Sequence, residues 1–182
     1  MQMNPDEAAA YLARLRDSGI RIERAGRFWH EGQTVQHEGL RQALFRWLDR
    51  LAEDDPGAAP GDAGRYVLRL DARRFAYLDV DDTPLVATSL RWDDDRGAWL
   101  GLNDGSEEPL DPRTLSIDGA GVLRCWVRAG KLEARLATSA AVTLAQQITT
   151  IDDRPALRTR DGMTVIPTRV QPAGRSSAGT LV

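Results

Sequence analysis

The chain has 182 residues, with 24 Lys and Arg against 27 Asp and Glu, a formal charge of −3, and 42% hydrophobic against 28% charged residues. A chain of this size buries roughly 70% of its extended surface, so a core is available, and the balance excludes global disorder and a strongly basic nucleic-acid-binding face. The single cysteine, Cys125, excludes an internal disulfide and a cysteine-cluster metal site.

The first element reads as a helix over 5–18: Asn4 is an N-cap, Pro5 suits the first helical position, and Tyr11, Leu12 and Leu15 fall at helical spacing. The same segment carries acids where a secretory signal needs positive charge. Its longest apolar run, 8–13, falls far short of the ~20 residues that cross a bilayer. No membrane span is expected, and the expected setting is the cytoplasm. Next, Ile20 to Glu23 alternates like a strand and Arg27 to His30 returns after Ala25-Gly26, a hairpin closed by Gly32. A second helix is predicted over 38–53, since Leu40, Leu44, Trp47, Leu48 and Leu51 recur at three- and four-residue steps and mark one face, with Trp47 in the core. It ends in the Pro- and Gly-rich loop 54–64.

From Arg65 onward the pattern is strand-like. Runs at 66–70, 75–80, 85–92, 98–102, 122–127 and 132–136 alternate between turn signals rich in Asp, Asn and Gly. A third helix is predicted over 139–149, capped by Thr138 or Ser139 and burying Val142, Leu144 and Ile148; a hairpin around Asp161-Gly162 follows. Arg27-Phe28-Trp29 and Arg124-Cys125-Trp126 echo one another, each an Arg-x-Trp strand followed by a helix and another strand. The expectation is α+β: mostly antiparallel sheets, about three helices and two strands–helix–strand modules. The first module covers 1–64, a helix–hairpin–helix unit continuing into strands up to about 92. The second covers 93–168, and 169–182 is a disordered tail.

Most catalytic constellations lack parts. His30-Glu31 and His37-Glu38 place the two histidines seven residues apart, not the four of a helical zinc motif. No metal or cofactor is expected. Cys125 with a histidine would make a nucleophile–base pair, but no nucleophile elbow surrounds it. The acidic runs Asp79 to Asp82 and Asp93 to Asp95 read as solvated hairpin turns, and Gly119-Ala120-Gly121 precedes a strand where a dinucleotide loop must open a helix.

The remaining reading is a non-catalytic binding or regulatory module for a small molecule or a protein. Its alternatives are a hydrolase using His30, Glu31 or Cys125, and a structural partner protein. The candidate binding surface is Arg27, Trp29, His30 and Glu31. Alternation would put Arg27, Trp29 and Glu31 on one strand face and His30 on the other. A structural network of Arg128, Glu133 and Arg135 is also expected, with Arg128 approaching Glu133 across the sheet.

Four segments, in order, resemble the DUF1285 family of uncharacterised bacterial proteins: GRFWHEGQTVQHEGLRQALFRWL, RYVLRLDARRFAYLDVDDTPLVATSLRW, LNDGSEEPL and VRAGKLEARLATSAAVTLAQ. The resemblance spans about residues 20–168. Gly26, His30, Glu31, Gly32, Asp82, Pro84, Asn103, Arg128 and Leu132 to Arg135 carry it, together with Phe28 or Trp29. It implies a mixed α/β first part, a rolled β second part similar to a pleckstrin-homology barrel, repeated structural motifs and a suggested signalling role. It supplies no catalytic residues.

Overall fold

The computed structural model describes residues 16–93, 97–159 and 162–169. The helix expected over 5–18 lies outside them except for its last residues, which are extended; the tail 170–182 also lies outside. Fifteen strands and two α-helices are described. The first sheet takes β1 (Asp17–Ile22), β2 (Phe28–His30), β3 (Gln33–Thr34), β4 (Leu48–Arg50), β5 (Tyr66–Arg69) and β6 (Phe75–Val80), in the order 3-2-1-6-5-4. The second takes β7 (Leu85–Asp93), β8 (Gly97–Leu102), β9 (Glu107–Pro109), β10 (Ser116–Ile117), β11 (Leu123–Val127) and β12 (Leu132–Leu136), in the order 10-11-12-7-8-9. A third holds β13 (Ile148–Ile151), β14 (Arg154–Thr159) and β15 (Gly162–Val165).

Each six-stranded sheet is two antiparallel meanders joined through one parallel pair, β1 with β6 and β7 with β12. A parallel pair needs a long crossover, so residues distant in sequence meet in the middle of each sheet. The passage from one sheet to the next comes at the turn 81–84. β7 is therefore the first strand, in chain order, of the second sheet. The two strands–helix–strand runs are present in the element order, with α1 (Glu38–Trp47) after β3 and α2 (Thr138–Ala145) after β12. The first run closes its six strands into one sheet, whereas the second divides them between two. Among the described residues the second sheet is open, with edges at β9 and β10.

The helices are shorter than predicted. His37 caps α1 by accepting the Leu40 N–H at Nδ1 (3.1 Å), but residues 48–50 pair with β5 and leave the helix at Trp47. Leu48 and Leu51 keep helical spacing only by coincidence: the sheet edge satisfies their backbone groups instead. Trp47 is consequently not core, being 37% exposed. α2 begins after Ala137, an N-cap with no side-chain acceptor, and the Ser139 hydroxyl, already inside the helix, donates to the Thr88 carbonyl (2.7 Å). Leu144 is buried and Val142 points outward, while Ile148 opens β13. One apolar core runs through all three sheets and both helices, from Phe28 and Phe45, whose rings meet edge to face at 4.8 Å, to Leu144 and Leu157.

Candidate functional site

The first hairpin divides the predicted binding residues. His30 pairs with Gln33, so Glu31-Gly32 is a two-residue turn with both residues at positive φ (48° and 76°). That backbone suits a mirror-image type I turn, whose twist matches the flanking strands. Strand alternation ends at His30, and Glu31 shares no face with Trp29. Phe28 is buried towards α1, and His30 is exposed, lining a groove beside His37. Trp29 lies on the opposite face from Phe28, half-buried, and its indole N–H closes no hydrogen bond of ordinary geometry. Arg27 forms an ion pair with Glu23, whose carboxyl it holds below the usual range.

Of the four, Arg27 alone lines a cleft beside the hairpin turn. This cleft, of about 290 Å³, lies between the 25–27 turn, β3, the start of α1 and Asn103. Arg41 enters it from α1 and is paired with the exposed Glu38 (2.8 Å); Thr34 and Gln36 supply further polar groups, and Phe28 and Phe45 form the floor. Asn103 forms the far wall. Its amide donates to the Gly26 carbonyl (3.1 Å) and its oxygen accepts the Val86 N–H (3.0 Å), which fixes the wall to the second sheet. Sequence reasoning reached Arg27 through its neighbour Trp29. It missed Arg41, which stands one turn before the buried Phe45 on the packed side of α1, off the Leu40–Leu44–Trp47 stripe that marked the apolar face.

The expected network of Arg128, Glu133 and Arg135 exists as three separate contacts. Arg128 does not approach Glu133. It pairs with Asp104 (2.5 Å), donates to the Phe45 carbonyl (2.8 Å), and its backbone N–H donates to Glu108 (2.7 Å). The Phe45 carbonyl is one of the orphan acceptors in the last turn of α1, so Arg128 caps that helix from the other sheet. Glu133 and Arg135 do share the face opposite the buried Leu132, Ala134 and Leu136. Glu133, however, pairs with Arg169, a residue expected in the tail, whose backbone N–H also donates to Ile117 (2.7 Å).

Arg135 belongs to a third cluster at the seam of the sheets. Arg124, 7% exposed, bridges Asp82 (2.5 Å) and Asp118 (3.0 Å), and Arg24 and Arg135 stand 3.7 and 3.6 Å from the second Asp82 oxygen. Burial opposes ionisation of Asp118, but the Val122 and Ala120 N–H groups and Arg124 outweigh it and hold the carboxyl below the usual range. Asp82 was read as part of a solvated turn, and the structure corrects that. Most positions that carry the DUF1285 resemblance fall along this seam or at the hairpin turn: Gly26 against Asn103, Asp82 with Arg135, and Arg128 under α1.

Cys125 is fully buried in β11, and burial, with the Glu133 and Glu108 charges, pushes its thiol up to about 12. A neutral, enclosed thiol is not an activated nucleophile. Among the described residues no group of three or more His, Cys, Asp or Glu is gathered to hold a metal, and no described helix is long and apolar enough to cross a membrane.

The comparisons with known proteins agree on the fold. A DUF1285 family protein from Silicibacter pomeroyi DSS-3 superposes with a TM-score of 0.63 at 18% identity, over 82% of this chain and 80% of that one. The fold is that of DUF1285 proteins. A second, from Shewanella baltica OS155, gives 0.55 at 13% identity, over 70% of this chain and 91% of that one. No family model and no curated protein matches the chain.

Proposed function

We propose that the chain is a distant member of the DUF1285 family that works in the cytoplasm as a non-catalytic binding module. Its cleft between Arg27, Arg41 and Asn103 takes a small anionic ligand, and occupancy serves a regulatory role. The carrying observation is the pair of guanidiniums lining one enclosed cleft. Among the described residues Arg27 is paired with Glu23 and Arg41 with Glu38, each on its own turn or element, and an exposed pair such as Arg41–Glu38 is worth about 0–1 kcal/mol. A ligand carboxylate or phosphate can take their place at little cost, and bidentate contacts favour it. Asn103 couples the cleft to the second sheet, so that occupancy would be felt on both sides of the seam.

The rolled shape expected of the second part is proposed on one link. Ile117 bridges Thr168, and its N–H donates to the Pro167 carbonyl (3.0 Å), so the end of the third sheet runs along the β10 edge. The link supports reading the second part as an open β-roll of pleckstrin-homology type.

The test is a thermal-shift and calorimetric panel of small mono- and dicarboxylates and phosphate monoesters on the full chain. One class should bind saturably and lose affinity at least tenfold in Arg27→Gln and Arg41→Gln, both of which keep the parent Tm. Binding unaffected by both substitutions, or none across the panel, overturns the assignment.

A further inference from the structure

A second recess lies on the same side of the first sheet as α1 and is built differently. It runs beneath the length of α1, from a lobe of about 350 Å³ beside His30 and His37 to one of about 520 Å³ beside Trp47. Ile20, Leu40 and Leu44 line both lobes, so they form one groove crossing β2, β1, β6 and β5 in turn. α1 has ten residues, so the groove is about 15 Å long at the helical rise of ~1.5 Å per residue. Leu40 (44% exposed), Trp47 and Leu70 (56% exposed) border it. These are three of the large exposed hydrophobic side chains of the protein gathered in one place, more than scattered surface residues require.

The charges are unequally placed. Arg16, Arg73 and Arg74 all line the Trp47 lobe, and no carboxylate lines either lobe. Arg74 is held by Asp71 (2.6 Å), and Arg16 is stacked on the Phe75 ring (4.5 Å) and bonded to the Gly57 carbonyl. The Arg73 guanidinium makes no ion pair or hydrogen bond to any described residue, although its own N–H is fixed by Asp71 (3.0 Å). An open groove whose middle is apolar (Ile20, Leu40, Leu44, Trp47, Leu68 and Leu70), with a guanidinium unpaired among the described residues at one end and the polar side chains of His30, Gln33 and His37 at the other, complements a molecule with an unbranched apolar tail and one anionic head. We infer that the groove binds a straight-chain carboxylate, its head on Arg73 and its tail running under α1 towards His37. A single methylene buried there contributes about 0.8 kcal/mol, so the tail supplies affinity and the arginine supplies polarity and direction.

The probe is dodecanoate, kept below its micellar concentration and titrated into the full chain, with dodecanol as the tail without the charge and acetate as the charge without the tail. Expected are saturable one-to-one binding, a blue shift of Trp47 emission that is absent in Trp47→Phe, and affinity for dodecanoate at least tenfold above that for dodecanol or acetate. Arg73→Gln should remove that preference, about tenfold for one charge-assisted contact, and Leu70→Gln should weaken both long-chain probes. Both side chains are exposed, so the apo Tm should not move. Dodecanol binding as tightly as dodecanoate, affinity unchanged in Arg73→Gln, or no saturable binding overturns the inference. So does a concentration-dependent dimer that Leu40→Gln dissociates, because a second copy would then occupy the groove. The Arg27 and Arg41 variants leave Arg73 and Leu70 intact, so the cleft and the groove fail or stand separately.

Discussion

Gly26 and Asn103, 77 residues apart in sequence, touch so closely that a methyl on Gly26 would stand 2.4 Å from the Asn103 amide nitrogen and 2.9 Å from Val86. Gly26 also has φ of +80°. Space and backbone both demand glycine here, and the contact joins the first hairpin to the second sheet.

Gly26→Ala should therefore destabilise the protein by about 2–4 kcal/mol, the sum of a left-handed backbone cost of ~1–2 and the strain of overpacking. Asn103→Ala should cost about 1–3 kcal/mol, because the Val86 N–H and the Gly26 carbonyl lose their partner. Urea unfolding of both single variants and the double should show the double costing clearly less than the sum, since both damage one contact.

Arg124→Met should be among the most damaging single changes, at about 3–5 kcal/mol, because it leaves Asp118 as a buried charge with no cation and takes from Asp82 its closest one, leaving Arg24 and Arg135 at 3.7 and 3.6 Å. Adding Asp118→Asn should recover part of the loss. If Arg124→Met leaves the urea midpoint within experimental error of the parent, the seam is solvated and its ion pairs are of the surface kind.

Acid sensitivity follows from the same seam. Asp118 and Asp104 are held below their ordinary values despite burial, Asp118 by backbone N–H groups and Arg124, Asp104 by Ser106 and Arg128. A depressed carboxyl contributes stability that is present above the unfolded value of about 3.9 and is lost as pH falls through the folded one. The unfolding midpoint should be flat from pH 7 to about 5, then fall below about pH 4. Asp118→Asn should flatten that fall, and an unchanged profile would exclude Asp118 as its source.

Cys125 gives the opposite sign. Its thiol is pushed up to about 12 from an ordinary value near 8.5, so its contribution is complete below pH 8 and is lost as pH rises through the folded value. Native protein at pH 8 should resist alkylation by iodoacetamide, with one thiol appearing only in denaturant. Rapid labelling of the folded chain would place Cys125 at the surface.

Trp29→Phe should cost under about 1 kcal/mol, because the indole N–H it removes closes no hydrogen bond of ordinary geometry, whereas Phe28→Ala should cost about 3–5. Equal costs would mean that Trp29 is as much a core residue as its neighbour.

The strands were legible because period-two alternation survives wherever one face is buried, as in Leu132, Ala134 and Leu136. The end of α1 was not, since Leu44, Trp47, Leu48 and Leu51 satisfy helical spacing while residues 48–50 gain more by pairing with β5. The strand β13 was signalled by the β-branched run Ile148-Thr149-Thr150-Ile151, but the helix expected over 139–149 took in its first two residues. The cleft was half legible. Arg27 stood beside an aromatic motif, whereas Arg41 and Asn103 reach it only through tertiary contact. The seam was hidden because an aspartate that terminates a hairpin reads the same in sequence whether water or three arginines surround it.

The cap that Arg128 places on α1 bears on how the chain reaches its native state. The helix has ten residues, too few to persist alone in water, and part of its C-terminal satisfaction arrives from a residue 83 positions later. The end of α1 therefore lacks one of its hydrogen-bond partners until the turn after β11 is in place. A fragment ending near residue 82 should be helix-poor and prone to association through its uncovered seam, and the intact chain should unfold in one step. The two meander repeats look interchangeable in outline, yet each completes the other through contacts that neither half possesses alone.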